Sequence, residues 1–208
     1  MDSLITEVTQ TIVEAYRHSR CVVMIPLPSG LADSMREFHK LIDQDDLYFD
    51  PEKEGKYGLE TEPHVTVLYG IKEVSKLVEV QDIAEGHDPF VIYFDKMSTF
   101  PGEGYEVLKI EIVSEGLHAL HQDLRKNVEN DYKWPDYLPH STVAYLKPGR
   151  AKKYTDIPED EQPMSGLSAL VPELLFKDHD GNPYIVPMRQ SDDLTDFLTA
   201  EGSLPPIG

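Results

Sequence analysis

Two stretches of the chain carry the same seven-residue pattern, Pro-His-x-Thr-Val-x-Tyr. One copy runs from Pro63 to Tyr69 and reads PHVTVLY, and the other runs from Pro139 to Tyr145 and reads PHSTVAY. The chain has 8 histidines, and about 0.4 His-x-Thr triplets are expected by chance in such a composition. Two copies inside one longer shared pattern therefore indicate a common role for the two stretches.

The residue types in this pattern suit phosphodiester chemistry. Side chains alternate along a β-strand, so His64 shares a face with Thr66, and His140 with Thr142. The ordinary pKa of histidine is about 6.5, so both its neutral and its protonated form are accessible near neutral pH. One neutral histidine can take a proton from the attacking oxygen, and a protonated one can donate a proton to the leaving oxygen. Threonine hydroxyls can donate hydrogen bonds to phosphate oxygens, where charge develops in the transition state. We predict that these four residues are catalytic.

The elements around the two motifs follow the same order in each half of the chain. A strand, a helix and a polar loop precede each motif strand, which indicates an internal duplication of one α+β unit. If the two motif strands lie side by side, their histidines and threonines converge on one point. The predicted elements are helix 3–18, strand 21–28, helix 31–42, loop 43–63, strand 64–71, helix 74–86, a strand pair within 89–114, helix 115–130, loop 131–139, strand 140–146 and hairpin 169–188.

Composition narrows the class of protein. The net charge of -19 disfavours duplex nucleic acid as a partner, because backbone binding depends on Lys and Arg. The sequence contains no run of about 18 apolar residues, so it predicts no membrane span. The N-terminus lacks the pattern of a signal peptide. The single cysteine, Cys21, predicts a core residue and a cytoplasmic protein. No carboxylate–histidine spacing indicates a metal site, so we predict neither metal nor cofactor.

Aromatic residues near the motifs are candidates for substrate binding. Four of them can stack on nucleobases: Tyr57, Trp134, Phe100 and Tyr105. Stacking is worth about 1–3 kcal/mol per base, and the alternative for each residue is ordinary packing. Counting with period two from the histidines puts Tyr69 and Tyr145 on the opposite face of their strands, which predicts a packing role for both.

At these motifs the sequence resembles the 2H phosphoesterase superfamily, which is named for two His-x-Thr/Ser motifs, and its LigT-like branch in particular. The resemblance covers roughly residues 20–190 and includes FDKMSTFPGEGYEVLKIEI. It implies a bilobal, pseudo-twofold α+β fold with two antiparallel sheets around a central cleft and helices outside. It also implies that His64 and His140 are catalytic and that Thr66 and Thr142 bind phosphate. We expect one domain over 1–190, divided into a helix at 1–19, a core at 20–150 and a C-terminal hairpin at 151–190, followed by an acidic flexible tail at 191–208.

The resemblance implies a metal-independent phosphodiesterase acting on a small cyclic or oligonucleotide substrate. The chain is most similar to phage-type members that hydrolyse cyclic oligonucleotide signals and so defeat the CBASS defence in the host cytoplasm. Two alternatives stay open. One is an RNA-end 2',3'-cyclic phosphodiesterase or 2'-5' RNA ligase-like enzyme, and the other is a nucleotide-binding protein without turnover. Base and linkage preference, the direction of reaction and the oligomeric state are left undetermined at this point.

Overall fold

The computed structural model describes residues 20–52 and 57–189 of the 208-residue chain. The helix predicted at the N-terminus and the acidic tail lie outside the described residues. The described part mixes helices and strands, as predicted. Within it, no helix combines the length and apolar character that crossing a membrane requires.

The observed elements follow the predicted order along most of the chain. They are β1 (Cys21–Pro26), α1 (Ser29–His39), β2 (His64–Ile71), α2 (Leu77–Glu85), β3 (Phe90–Pro101), β4 (Glu106–Val113), α3 (Glu115–Asn127), β5 (His140–Leu146), α4 (Lys152–Thr155), β6 (Ser168–Val171), β7 (Glu173–Lys177) and β8 (Pro183–Pro187). Both motif histidines are the first residues of their strands. The two His-x-Thr motifs therefore occupy equivalent positions in β2 and β5.

Helix α3 shows how the local sequence determines one element. Ser114 precedes it, and its hydroxyl accepts a hydrogen bond from the backbone N–H of Leu117 at 3.2 Å, which caps the helix. Leu117, Leu120 and Leu124 recur at helical spacing and are all fully buried. The spacing of these leucines in the sequence predicts one apolar face for this helix, and their burial confirms it. Cys21 is also buried in the core, as predicted.

The sheet differs from the expectation of two separate sheets. Hydrogen bonds join all eight strands into one antiparallel sheet, in the order β6-β3-β4-β5-β2-β1-β7-β8. The two halves meet where β2 pairs with β5 through Val65 and Ser141. Alternation of polar and apolar residues predicts a strand but not its neighbour, so the sequence could offer the pairing of the two motif strands only as a condition.

The chain path at the C-terminus requires this sheet to curl. Strand β6 pairs with β3 at one end of the strand order, whereas β7 pairs with β1 near the other end. A single residue, Pro172, separates β6 from β7. One residue spans less than about 4 Å, so the two ends of the sheet must lie close together. The predicted hairpin at 169–188 is accordingly split, and β7 and β8 form the hairpin observed.

The two halves interlock through the loops that precede the motifs. Beyond the Val65–Ser141 pair, β5 bonds to the loop before the first motif: Tyr48 N–H donates to Tyr145 O at 2.9 Å, and Tyr145 N–H donates to Gly58 O at 2.8 Å. Asp131, in the loop before the second motif, donates to Gly70 O in β2 at 2.9 Å. Each motif strand is thus supported by the loop that leads into the other motif.

Gly70 permits the close approach of the second loop. Its φ is +94°, and a Cβ at this position would lie 3.3 Å from backbone atoms of Asp131. A side chain here would meet both a strained backbone angle and a fixed neighbour. The glycine therefore allows the loop before the second motif to lie directly on β2.

Candidate active site

The two motif histidines are held in the same way. His64 Nδ1 lies 2.6 Å from the carbonyl oxygen of Glu62, and His140 Nδ1 lies 2.7 Å from that of Leu138. A carbonyl oxygen can only accept, so Nδ1 carries the proton in both rings. Each Nε2 is then a lone-pair nitrogen in the neutral ring and an N–H in the charged ring. Either histidine can therefore serve as base or acid through Nε2.

The four predicted catalytic side chains share one face of β2 and β5, which we call the histidine face. His64, Thr66, His140 and Thr142 are half-buried, whereas the residues between and after them are buried on the other side. The pair Val65–Ser141 makes the two strands neighbours at this point. The structure thus brings all four side chains together as the spacing predicts.

The environment of His140 favours its neutral form. Burial is the main cause that lowers the pKa of His140 below its ordinary value, and the positive charge of Lys109 and the ring of His64 add to this. The hydrogen bond to Leu138 O opposes the shift. A histidine that is neutral near neutral pH is suited to act as a general base.

A β-bulge follows each motif and changes which residues face the site. Thr66 pairs with Met24, but Leu68 pairs with Val23, so Val67 is an extra residue in β2. Strand β5 repeats the arrangement, with Val143 as its extra residue. The duplication therefore extends beyond sequence to a matching distortion of the backbone.

The bulges correct our prediction for the motif tyrosines. An extra residue reverses the alternation, so Tyr69 and Tyr145 lie on the histidine face and not on the opposite face. The consecutive buried residues Val143 and Ala144 mark the point where period-two counting fails in β5. Tyr145 is consequently available to the site.

Two of the predicted stacking residues belong to one cluster with Tyr145. The tyrosine cluster consists of Tyr48, Tyr57, Tyr105 and Tyr145, and the rings in contact have centroids 5.0–5.7 Å apart. Tyr48, which lies in the loop before the first motif, was not one of the four residues predicted to stack. The cluster forms an aromatic surface beside Thr142 on the histidine face, because Tyr145 follows it on the same strand.

Phe100 and Trp134 lie in different surroundings. The Phe100 ring meets the His140 ring edge to face, with centroids 4.9 Å apart. Trp134 is 56% exposed and packs against Tyr132, whose ring in turn contacts His121 of α3. Phe100 is thus in contact with a motif histidine. Trp134 instead contacts Tyr132, which connects it to α3.

Sequence reasoning missed a polar group on the neighbouring strands. Lys109 and Glu111 of β4 lie opposite Thr142 and His140, and Ser98 of β3 lies opposite Lys109. Directly opposite residues share a face, so all three lie on the histidine face. The available signal was the strand EVLKIEIV, in which two charged residues at alternate positions interrupt an apolar run.

A second pair of histidines supports the bulges. His39 of α1 has Nε2 3.0 Å from the carbonyl oxygen of Val143, and His121 of α3 has Nδ1 2.7 Å from that of Val67. Each helix therefore reaches the extra residue in the motif of the other half. These bonds satisfy carbonyls that the bulges release from regular strand pairing.

Acid should weaken the fold through these buried histidines. Burial lowers the pKa of both His39, which is 9% exposed, and His121, which is 2% exposed. Below about pH 6.5 the unfolded chain binds protons that the folded chain does not, so each buried histidine costs up to about 1.4 kcal/mol per pH unit. In His121→Gln that dependence is removed at one site. The advantage of wild type over His121→Gln should therefore shrink as pH falls from about 7.5 to 5, as measured by urea unfolding.

His179→Gln is the matched control for this measurement, because the side chain of His179 is 44% exposed. It reports what the replacement of a histidine by glutamine does to unfolding at an exposed position. A difference between wild type and His121→Gln that stays constant over this pH range would contradict the burial argument.

A cavity of about 470 Å³ adjoins the first motif, and its wall includes His64. Met24 and Leu175 supply apolar surface, and Lys177, paired with Glu62, supplies charge. The volume lies in the range of pockets that hold small ligands. Over residues 20–52 and 57–189, the structure contains no group of three or more His, Cys, Asp or Glu side chains arranged to hold a metal ion.

Comparison with known families decides the wider relationship. The family model described as the 2'-5' RNA ligase superfamily matches residues 28–164. The chain belongs to this superfamily. Both His-x-Thr motifs lie inside the matched region. The superfamily comprises 2H phosphoesterases, so the prediction of an enzyme acting on phosphodiester bonds is confirmed at the level of the family.

Solved structures agree on the fold. This member of the 2'-5' RNA ligase superfamily is similar to Escherichia coli LigT in apo form. The identity is 19%, the match covers 82% of this chain and 95% of LigT, and the TM-score is 0.52. LigT complexed with phosphate gives 18% identity, coverage of 82% and 95%, and a TM-score of 0.50. Usb1 of Kluyveromyces marxianus with uridine monophosphate gives 13% identity, coverage of 83% and 99%, and a TM-score of 0.51. No curated protein sequence matches the chain.

Proposed function

We propose that this chain is a metal-independent phosphodiesterase that cleaves a small cyclic or oligonucleotide phosphodiester. The observation that carries the proposal is the matched bonding of His64 and His140, each with Nδ1 on a carbonyl oxygen and Nε2 left for chemistry. Two histidines supply both a base and an acid, so proton transfer at both reacting oxygens is provided for.

The proposed reaction assigns one role to each histidine. Neutral His140 takes a proton from the attacking oxygen, which is water in hydrolysis, and a new P–O bond forms. The P–O bond to the leaving oxygen breaks, and protonated His64 donates its Nε2 proton to that oxygen. The Thr66 and Thr142 hydroxyls donate to the non-bridging oxygens. The lowered pKa of His140 supports its assignment as base.

A short nucleotide substrate is supported by the surroundings of the site. The tyrosine cluster and Phe100 offer aromatic rings for nucleobases, and the net charge of -19 disfavours a long polyanion. Within this proposal we assign substrate binding to Tyr57, Tyr105, Phe100 and Trp134. We also propose that the biological substrate is a cyclic nucleotide signal, degraded by a phage-type enzyme in the host cytoplasm.

The second candidate is an RNA-end enzyme that opens or forms 2',3'-cyclic phosphates. The description of the matching family as a 2'-5' RNA ligase superfamily favours it. The chemistry at the histidines would be the same. The two candidates differ in the substrate, so a substrate panel separates them.

The test is a turnover assay on chelator-treated protein. Wild type and His140→Ala each meet cyclic dinucleotides, cyclic trinucleotides, a 2'-5' oligoadenylate and an RNA with a 2',3'-cyclic end, and products are resolved by chromatography. Cleavage of a cyclic oligonucleotide that is lost in His140→Ala is the expected result. Cleavage of the RNA end alone would select the second candidate. Binding without turnover of any substrate would overturn both.

Two further variants test the assignment of the aromatic residues. Removal of a stacked ring costs about 1–3 kcal/mol, so Tyr57→Ala should raise KM by roughly 5- to 150-fold with little change in kcat. Trp134→Ala tests the assignment of Trp134 separately, because its ring packs against Tyr132 outside the tyrosine cluster, and it too should raise KM. Equal KM values for wild type and Tyr57→Ala would remove the cluster from the substrate site.

A further inference from the structure

Lys109 is a buried cation on the histidine face. It is 4% exposed and lies directly opposite Thr142 in the pairing of β4 with β5. Lysine is rarely buried so fully, because taking an ammonium group out of water is unfavourable unless partners compensate. Its position in the middle of a strand next to the second motif therefore calls for a functional explanation.

The ammonium group is oriented by two neighbours. Lys109 Nζ donates to Ser98 Oγ at 2.6 Å and to Glu111 Oε1 at 3.2 Å, and Ser98 Oγ donates to the same carboxylate oxygen at 2.6 Å. The hydrogen bond from Ser98 is the main cause that lowers the pKa of Glu111, so this carboxylate is charged. An ammonium group has three N–H bonds, and within the described part of the chain these two acceptors use two of them.

The Phe100 ring fixes where this charge lies relative to the reacting groups. Lys109 Nζ is 4.3 Å from the centre of the ring, and the same ring meets His140 edge to face at 4.9 Å. The ammonium group is therefore separated from the His140 imidazole by about the width of one aromatic side chain. The backbone of Lys109 is paired with that of Thr142, so the side chain begins beside the second motif.

The internal duplication is broken at this position. In the first half, Met24 lies opposite Thr66 and Pro26 opposite His64. In the second half the same two places are taken by Lys109 and Glu111. The motifs, the bulges and the helix histidines are duplicated, but the charge occurs in one half alone among these paired positions. The two histidines consequently differ in electrostatic surroundings.

We infer that Lys109 donates its third N–H to a non-bridging oxygen of the substrate phosphate held by Thr142, and so stabilises the charge that develops in the transition state. This inference rests on the proposed phosphodiester chemistry. The Thr66 and Thr142 hydroxyls are neutral donors, and the protein as a whole is anionic. Lys109 supplies the positive charge that the two motifs lack.

The same charge distinguishes the two histidines. His140 is flanked by Lys109 and Glu111 of β4 and by Phe100 of β3, and it faces His64 of β2. Glu111 is paired with His140 and Lys109 with Thr142. The positive charge of Lys109 is among the causes that lower the pKa of His140, so it disfavours a second positive charge on this ring. The duplication break thus makes His140 the base and leaves His64 as the acid.

The test compares Lys109→Met with wild type, with Lys109→Arg and with Lys126→Met, a matched control at an exposed position of α3. Lys109→Met copies the residue of the other half and keeps the length of the side chain. It should lower kcat by about 10²-fold, and Lys109→Arg should restore part of the loss. The acid limb of kcat/KM should move to higher pH in Lys109→Met, because the pKa of His140 rises when the cation is removed. The two diastereomers of a phosphorothioate substrate should also become more alike as substrates, since one non-bridging contact is lost.

Wild-type values for kcat, pH limb and phosphorothioate preference in Lys109→Met would overturn the inference while leaving the proposed function intact. If wild type cleaves no substrate, the proposed function fails and binding of inorganic phosphate decides the question separately. Lys109→Met should bind phosphate at least about 10-fold more weakly, and equal binding, or none by wild type, would overturn the role of Lys109. Urea unfolding checks that each variant is folded, because Lys109→Met leaves the Glu111 carboxylate without its ammonium partner and removal of one member of a buried ion pair is destabilising.

Discussion

Replacement of either His64 or His140 by alanine is expected to lower kcat/KM by about 10³-fold or more, because general acid and base catalysis each contribute about 10²- to 10⁴-fold. The two rings have the same Nδ1 contact, and in the proposed mechanism they act on the same phosphate in one step. Loss of one histidine therefore removes most of the contribution that the other makes to kcat/KM. The double variant should be no more than about 10-fold slower than the slower single variant.

The measurement is a double-mutant cycle on the substrate that the panel identifies, with His179→Ala as control. His179 lies outside the site, beside Asp180 in the β7–β8 turn, and its replacement should leave kcat/KM unchanged. A single histidine variant that kept more than about a tenth of wild-type activity would be incompatible with the acid–base roles. Fully additive losses in the double variant would show that the two rings act in separate steps.

The same enzyme should show a bell-shaped dependence of kcat/KM on pH. The acid limb reports protonation of the base, and the pKa of His140 is lowered by burial, Lys109 and His64. That limb should therefore lie below about pH 6.5, the ordinary value for histidine. A flat profile between about pH 5 and 9 would count against the mechanism.

Replacement of Thr66 or Thr142 by valine is expected to lower kcat by about 10²-fold, as for other donors that stabilise transition-state charge. Valine has nearly the shape of threonine and suits a strand, so the change removes the hydroxyl while keeping the fold. Serine at either position should restore most of the activity, because it keeps the donor. The readouts are kcat, KM and the thermal midpoint of each variant.

The serine variants separate catalysis from packing. If Thr142 served only to fill space, Thr142→Val would be active and Thr142→Ser would be the weaker protein. The reverse order, with valine inactive and serine active at similar thermal midpoints, is what phosphate binding requires. Activity near the wild-type level in both valine variants would remove the threonines from the proposed mechanism.

Much of the site was predictable because its determinants are local. Residues two apart on a strand lie on the same face whichever strand is the neighbour. The shared face of His64 and Thr66, and that of His140 and Thr142, therefore followed from the motif alone. The apolar face of α3 and the buried Cys21 followed from spacing and composition in the same way. These features depend on the geometry of one strand or one helix.

Tertiary structure decided the features that depend on pairing. A bulge is a property of two strands in register, so no count along β5 alone could place Tyr145 on the histidine face. Lys109 lies beside the site because it is paired with Thr142, and the sequence does not show which residues of β4 lie opposite the second motif. The curl of the sheet, the crossing of each loop onto the other motif and the hydrogen bonds from His39 and His121 arise in the same way. The motif determined which groups do the proposed chemistry, and strand register determined which further charges and rings surround them, because alternation is a local property and register is not.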